Sequence, residues 1–78
     1  MWVDLSLPTK GLLRIKVIDV AGRHVATLAD GMHESGPLKL WWDAHGSSGA
    51  KCAPDVYWCR AELDGAMATR RFVLLGGQ

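Results

Sequence analysis

The sequence has no long apolar run and almost no net charge. Its 78 residues carry nine Lys and Arg against eight Asp and Glu, which gives a formal charge of +1. No window approaches the ~20 apolar residues that a membrane-spanning helix requires. Binding to nucleic acid or to an anionic membrane surface would need a clustered excess of Lys and Arg, which this balance of charges does not provide. We therefore expect no membrane insertion and no nucleic-acid partner.

An export signal is also missing at the start of the sequence. Asp4 stands where a signal peptide carries positive charge, and no long apolar block follows it. We therefore expect that the chain as given does not direct its own export, and that it either works inside the cell or is a piece of a longer exported protein. A hydrophobic fraction of 49% and a charged fraction of 22% are typical of a folded chain. The length predicts a single domain over residues 1–78.

What the sequence does have is the period-two alternation of β-strands. In LLRIKVID, apolar residues at 13, 15 and 17 alternate with residues at 14, 16 and 18 that point the other way. The same pattern is repeated in LKLWWD, VYWCRAEL and ATRRFVLL. A further strand, WVDLSL, ends at Pro8. The segment RHVATLA is shorter and less regular. The segments DVAGR and DGA mark turns, and no window has helical spacing. Six or seven short strands predict an all-β antiparallel sandwich.

Three strings together resemble a known family: LRIKVIDVAGRHVATLADG, GPLKLWWDAHGSSGAKCAPDVYWCRAEL and TRRFVLL. The family comprises immunoglobulin-like domains at the C-terminal ends of large secreted bacterial proteins. It includes type IX secretion sorting domains and relatives of the Ig-like domain of the flagellar hook-capping protein. The resemblance runs from about Leu7 to Leu75. It implies an immunoglobulin-like β-sandwich of about seven short antiparallel strands, with no catalysis and no cofactor.

The resemblance extends to individual positions. The matching residues are Asp19, Gly22 and Arg23 in the first turn, Val25 and Leu28 in the next strand, Trp42 and Asp43, then Gly49, Val56, Tyr57 and Arg60, and finally residues 72–75. The departures are Leu38 in place of His, Ala44 in place of the Gly after Trp-Asp, Asp55 in place of the Gly before Val-Tyr, Cys59 at the second aromatic position, and an LLGGQ end in place of a short basic tail. Asp55 therefore occupies a backbone position that favours glycine.

Asp19 poses a choice between a catalytic acid and a turn residue. A carboxylate at the end of a strand accepts backbone N–H groups of the following turn, and no polar partner for catalysis lies nearby, so we interpret Asp19 and Gly22 as turn residues. GSSGAK lacks the spacing of a phosphate loop. The three histidines and two cysteines lack the spacing of metal ligands, and Asp43, His45 and Ser47 are too close in one loop to form a catalytic triad.

The cysteines and tryptophans leave alternatives open. Cys52 and Cys59 either form a disulfide or act as two small buried apolar side chains. Strand parity places Trp42 in the core with Leu38 and Leu40. Trp41 and Trp58 point the other way, where they either bind a sugar or a partner or are half covered by neighbouring segments.

We therefore expect a non-enzymatic C-terminal sorting or attachment module of an exported bacterial protein, secreted or at the cell surface. Its partners would be an upstream passenger domain and the secretion or attachment machinery. The alternatives are a structural or adhesive module resembling the hook-capping scaffold, and a small carbohydrate-binding module. The sequence predicts no metal site and leaves the oligomeric state open.

Overall fold

The computed structural model describes residues 1–75, and the last three residues of the LLGGQ end lie outside this range. Within it the chain forms six β-strands and no helix. The strands are β1 (Trp2–Leu7), β2 (Gly11–Ile18), β3 (His24–His33), β4 (Gly36–Trp41), β5 (Asp55–Leu63) and β6 (Ala66–Leu74). Among these residues no helix is long and apolar enough to cross a membrane.

The strands form two antiparallel sheets. One has two strands in the order β1-β4, and the other has four in the order β3-β2-β5-β6. The sheets pack as a sandwich, so the prediction of an all-β antiparallel sandwich is confirmed. The described residues supply six strands rather than about seven, and the smaller sheet has only two of them.

Strand β2 follows the predicted alternation. Leu13, Ile15 and Val17 have no exposed surface and form the centre of the core, because β2 lies between β3 and β5 in the larger sheet. Ile18 has the opposite parity and was expected to face outward. It lies on the outer face opposite Trp58, yet it is only 9% exposed, since a large cross-strand neighbour covers it there.

Strand β3 is longer than predicted and carries two irregularities. Its register with β2 shifts between Ile15 and Lys16 and again between Val17 and Ile18. Because each shift inserts one extra residue into β3, Ala26 and Ala29 are both buried although they are three residues apart. The bulges explain why this segment lacks a regular period of two in the sequence.

The core divides into two clusters at opposite ends of the strands. The aliphatic end consists of Leu7, Leu13, Ile15 and Ala29, with half-buried aliphatic residues of β1, β4 and β5 around it. The aromatic end consists of Val17, Ala26, Trp42 and Tyr57, with Met1, Cys52, Phe72 and Leu74 among the residues packed against it.

Short turns close the aliphatic end. Asp64 and Gly65 join β5 to β6, and both have positive φ, 47° and 88°, as a type I′ hairpin turn requires. The Asp64 carboxylate accepts a hydrogen bond from the N–H of Leu12 at 2.9 Å. It also occupies the space that a side chain at Gly11 would take, so Gly11 allows this turn to approach β2.

Candidate functional site

Asp19 lies in the turn between β2 and β3, where it accepts three hydrogen bonds. Its Oδ1 accepts the N–H groups of Ala21 (3.0 Å) and Arg23 (2.9 Å), and its Oδ2 accepts the Arg23 Nε–H (3.0 Å). The backbone N–H of Gly22 donates to the Asp19 carbonyl at 3.0 Å, and Gly22 has a φ of 81°. These contacts close the turn. Both oxygens of the Asp19 carboxylate accept their hydrogen bonds from residues of the turn itself.

The turn also sets the electrostatics of Asp19. The hydrogen bond from the backbone N–H of Arg23 is the largest cause that lowers the pKa of this carboxyl, and the Ala21 N–H and the Arg23 charge add to the effect. A lowered pKa keeps Asp19 ionised at neutral pH. A general acid would need the opposite shift, so the electrostatics favour a structural role.

Trp42 and Asp43 open the long loop between β4 and β5. The Trp42 side chain is buried, and its Nε1–H donates to the carbonyl of His45 at 3.1 Å. The Asp43 Oδ1 accepts the N–H of His45 at 3.0 Å, and His45 Nδ1 lies 3.0 Å from the Asp43 carbonyl oxygen. Trp42 therefore joins the core to the start of the loop, and Asp43 shapes the turn that follows.

Ala44, which departs from the pattern that the sequence resembles, has an unfavourable backbone conformation. It has a φ of 63°, in the left-handed region where the family has glycine. Asp55, which the sequence also suggested as such a position, is not among the residues with positive φ. It begins β5, and its Oδ1 accepts the N–H of Val56 at 2.7 Å. Of these two positions, the one with a strained backbone is therefore residue 44 and not residue 55.

Tyr57 anchors the other end of the loop. Its hydroxyl donates to the carbonyl of Ala53 at 2.6 Å, while its ring stacks on Phe72 with centroids 6.0 Å apart and meets Trp42 edge-on. Burial raises the pKa of this phenol, so it stays protonated and remains a donor. A Tyr near the start of a strand that bonds to the backbone upstream is a recurring feature of immunoglobulin-like sandwiches.

The two cysteines, Cys52 and Cys59, are free thiols in the structure. Cys59 packs against the aliphatic end and Cys52 against the aromatic end. Burial raises the pKa of both thiols, and the Asp43 charge adds to the effect at Cys52. Both residues therefore behave as small apolar side chains with low nucleophilicity.

Trp41 and Trp58 do not form a common surface. Trp41 lies on β4 of the smaller sheet, and Trp58 lies half-buried on β5 of the larger sheet, opposite Arg71. Because each points to the outer side of its own sheet, the pair cannot form a single sugar-binding platform, and the carbohydrate-binding alternative loses its basis. Trp58 is half-buried, which agrees with the second of the two alternatives, that neighbouring segments half cover it.

The partner of Trp41 is Trp2. The two indoles are cross-strand partners with centroids 5.1 Å apart, and both side chains are more than half exposed. The ammonium of Lys39 lies 5.2 Å from the centroid of the Trp2 ring. We call Trp2, Trp41 and Lys39 the tryptophan face. The parity of WVDLSL places Trp2 outward, but the sequence does not show that β1 pairs with β4.

The polar residues of the loop do not form a reaction centre. His45 Nδ1 contacts the Asp43 backbone, and the N–H of Ser47 donates to the carbonyl of Val25 at 2.8 Å. Among residues 1–75, no group of three or more His, Cys, Asp or Glu side chains is placed to hold a metal ion. The most distinctive exposed feature of the described chain is therefore the tryptophan face.

Comparison with known proteins gives one informative match. No protein-family model matches the chain, and no curated protein matches it in sequence. The solved structure of FlgD from P. aeruginosa, a flagellar hook-capping protein, is similar over 94% of this chain, with 25% identity and a TM-score of 0.68. The aligned part spans 58% of that FlgD chain. The comparison supports a FlgD-like fold, while no match supports a type IX sorting domain.

Proposed function

We propose that this chain is a non-enzymatic immunoglobulin-like structural module, which acts by contact with other copies or with neighbouring protein domains. The observation that carries the proposal is the similarity to FlgD over 94% of the chain. Of the functions considered from the sequence, the hook-capping-like scaffold is the one that this similarity supports. Fold similarity alone does not define a function, so the contact surface has to come from this chain's own residues.

The tryptophan face is the surface that we assign to this contact. Trp2 is 57% exposed and Trp41 is 59% exposed, although large apolar side chains are costly to leave in water. Aromatic residues are enriched at protein interfaces, because their rings bury a large area at a small cost in side-chain entropy. Lys39 lies beside the Trp2 ring and adds a positive charge, with which a negatively charged group of a partner can pair.

Sedimentation velocity over a range of concentrations tests the proposal. We expect the chain to self-associate, and we expect Trp41→Ser to reduce that association. Trp58→Ser is the matched control, because Trp58 is half-buried on the other sheet and should leave the association unchanged. Thermal melts of both variants verify that they fold. A chain that stays monomeric at all concentrations would contradict self-association, and equal effects of the two substitutions would contradict the choice of face.

The sorting function implied by the motif order is a second proposal, for which the comparisons give no support. In it, the chain follows a passenger domain in an exported protein, and the secretion or attachment machinery recognises it at the cell surface. Fusing residues 1–78 to an exported reporter in a host with type IX secretion tests this role. Surface delivery no better than with an unrelated sandwich domain would count against it.

A further inference from the structure

The two sheets of the sandwich differ in width, and the difference leaves core-facing positions uncovered. Two strands, β1 and β4, lie over a sheet of four. In β6, the residues with inward parity include Ala66, Ala68 and Arg70, which pair with Leu63, Ala61 and Cys59 of β5. The three β5 residues are half-buried against the aliphatic end, whereas Ala66, Ala68 and Arg70 are all exposed. The smaller sheet therefore leaves the first part of β6, from Ala66 to Arg70, uncovered.

The chain connections show which edge of the smaller sheet lies beside this gap. Only two residues separate β3 from β4, so β4 starts near the end of β3, which is the outer strand of the larger sheet on the side away from β6. Three residues separate β1 from β2, so β1 stays close to β2. Each residue spans at most ~3.6 Å, so neither connection can cross the sheet. The free edge of β1 therefore faces the side of β5 and β6.

The hydrogen bonds define which groups β1 offers at that edge. The N-terminal ammonium of Met1 donates to the Trp42 carbonyl, and the Trp42 N–H donates to the Met1 carbonyl. In an antiparallel ladder such pairs alternate with pairs whose N–H and C=O groups point away from each other. Trp2, Asp4 and Ser6 therefore direct their backbone N–H and C=O groups toward the free edge of β1.

The opposite edge of the sheet is less suited to pairing. Pro37 is the cross-strand partner of Ser6, so its nitrogen belongs to the same outward-pointing set on β4. Proline has no N–H to donate, and a proline at this position blocks the addition of a strand to the β4 edge. Strand β1 carries no proline and presents an unbroken row of backbone groups. The two edges are therefore not equivalent.

We propose that the free edge of β1 is a strand-acceptor site, which binds one extended segment of a partner polypeptide by β-strand addition. The gap defines the chemistry of that segment. Every second residue must be large and apolar to cover Ala66 and Ala68, and an acidic residue must lie near Arg70, whose charge faces the gap. Backbone pairing supplies the binding energy, and the alternate side chains supply the specificity. The inference does not require the tryptophan face to be an interface.

The test uses a strand joined to the full chain. A segment of about eight residues of alternating valine and threonine with one glutamate is joined to Met1 through a flexible Gly/Ser linker of about ten residues. The linker gives a millimolar effective concentration, so weak pairing is populated. Amide hydrogen exchange is measured by NMR at Trp2, Asp4 and Ser6. We expect the protection of these three amides to rise at least tenfold.

Two proline variants at the same rung provide the matched comparison. Asp4→Pro removes an outward N–H of β1, and Lys39→Pro removes the outward N–H of its cross-strand partner on β4. We expect Asp4→Pro to abolish the protection at Trp2 and Ser6 and Lys39→Pro to preserve it. Unchanged exchange rates in the tethered protein would overturn the proposal.

Two other outcomes would also overturn the proposal. Equal effects of Asp4→Pro and Lys39→Pro would contradict the assignment to β1. Concentration-dependent protection of the same amides in the chain without the added strand would assign the edge to a second copy instead. Trp41→Ser should leave the strand binding unchanged, so a failure of the tryptophan face and a failure of this site can be told apart.

Discussion

The two ends of the core are closed in different ways. At the aliphatic end, the strands are joined by short connections, among them the two-residue turn of Asp64 and Gly65. At the aromatic end, β4 and β5 are joined by the long loop that runs from Trp42 to Pro54. The β5–β6 turn at the first end depends on its backbone conformation, whereas the long loop at the second end is held by core side chains that bond to its backbone.

The difference shows where each end draws its stability. A two-residue turn fixes the strand register through backbone conformation alone, so the side chains behind it need only be apolar. A long loop fixes nothing by itself, so Trp42 and Tyr57 combine burial with hydrogen bonds to the carbonyls of His45 and Ala53. Substitutions at the aromatic end should therefore cost both packing and loop anchoring.

The largest effect is expected from truncating Trp42. Trp42→Ala removes the central ring of the aromatic end together with the bond to His45, and we expect it to cost about 3–5 kcal/mol of the free energy of unfolding. Such a loss takes most of the stability of a small domain. Urea denaturation followed by circular dichroism measures it.

Leu13→Ala at the aliphatic end is the matched control, since Leu13 is fully buried but makes no side-chain hydrogen bond. We expect it to cost less than Trp42→Ala, because it removes a smaller side chain and no hydrogen bond to a loop. A loss for Trp42→Ala equal to or below that of Leu13→Ala would show that the two ends do not differ as described.

A smaller effect, of opposite sign, is expected at Ala44. Its φ of 63° is unfavourable for any residue with a Cβ, and glycine relieves the strain at some cost in chain entropy. We expect Ala44→Gly to raise the free energy of unfolding by about 0.5–1 kcal/mol. The measurement is the midpoint of urea denaturation.

Ala50→Gly is the control for this gain, because Ala50 lies in the same loop and is not among the residues with positive φ. That substitution should lower the stability slightly. If both substitutions change the midpoint in the same direction, the gain at residue 44 does not come from backbone strain.

The smallest effect is expected at Asp19 and depends on pH. The pKa of this carboxyl is lowered in the folded chain from its usual 3.8, so its stabilising contribution is present above that value and is lost as the pH falls through the folded pKa. Asp19→Asn should therefore flatten the loss of stability below pH 3.8. Thermal melts from neutral to acidic pH measure this slope, and identical acid profiles in both proteins would contradict the role of Asp19.

The sequence predicted most of the fold because alternation is a local signal. The parity of Leu13, Ile15 and Val17 identified the core strand, and the Asp64-Gly65 pair identified a hairpin turn. The bulges in β3 were missed, since an extra residue in a strand breaks the period of two without leaving a signal of its own.

The surface features were harder to predict because they depend on contacts between distant segments. Trp2 and Trp41 come together only through the register between β1 and β4, which no short window contains. The free edge of β1 likewise depends on how many strands each sheet receives. The family pattern that the sequence resembles has glycine at residue 55 and therefore predicts backbone strain at Asp55, whereas the backbone places the strain at Ala44.

The double anchoring of the long loop makes its tip a suitable place to graft foreign peptide. Trp42 secures the entry and Tyr57 secures the exit, while a backbone bridge between His45 and Lys51 closes the base of the tip. Residues added between Ser48 and Gly49 would keep the Ser47 bond to Val25, lose the bond from the Gly49 N–H to the Gly46 carbonyl, and lengthen only the segment beyond that bridge. Each doubling of loop length costs only about 0.6 kcal/mol. The domain can therefore serve as a carrier that displays an inserted epitope.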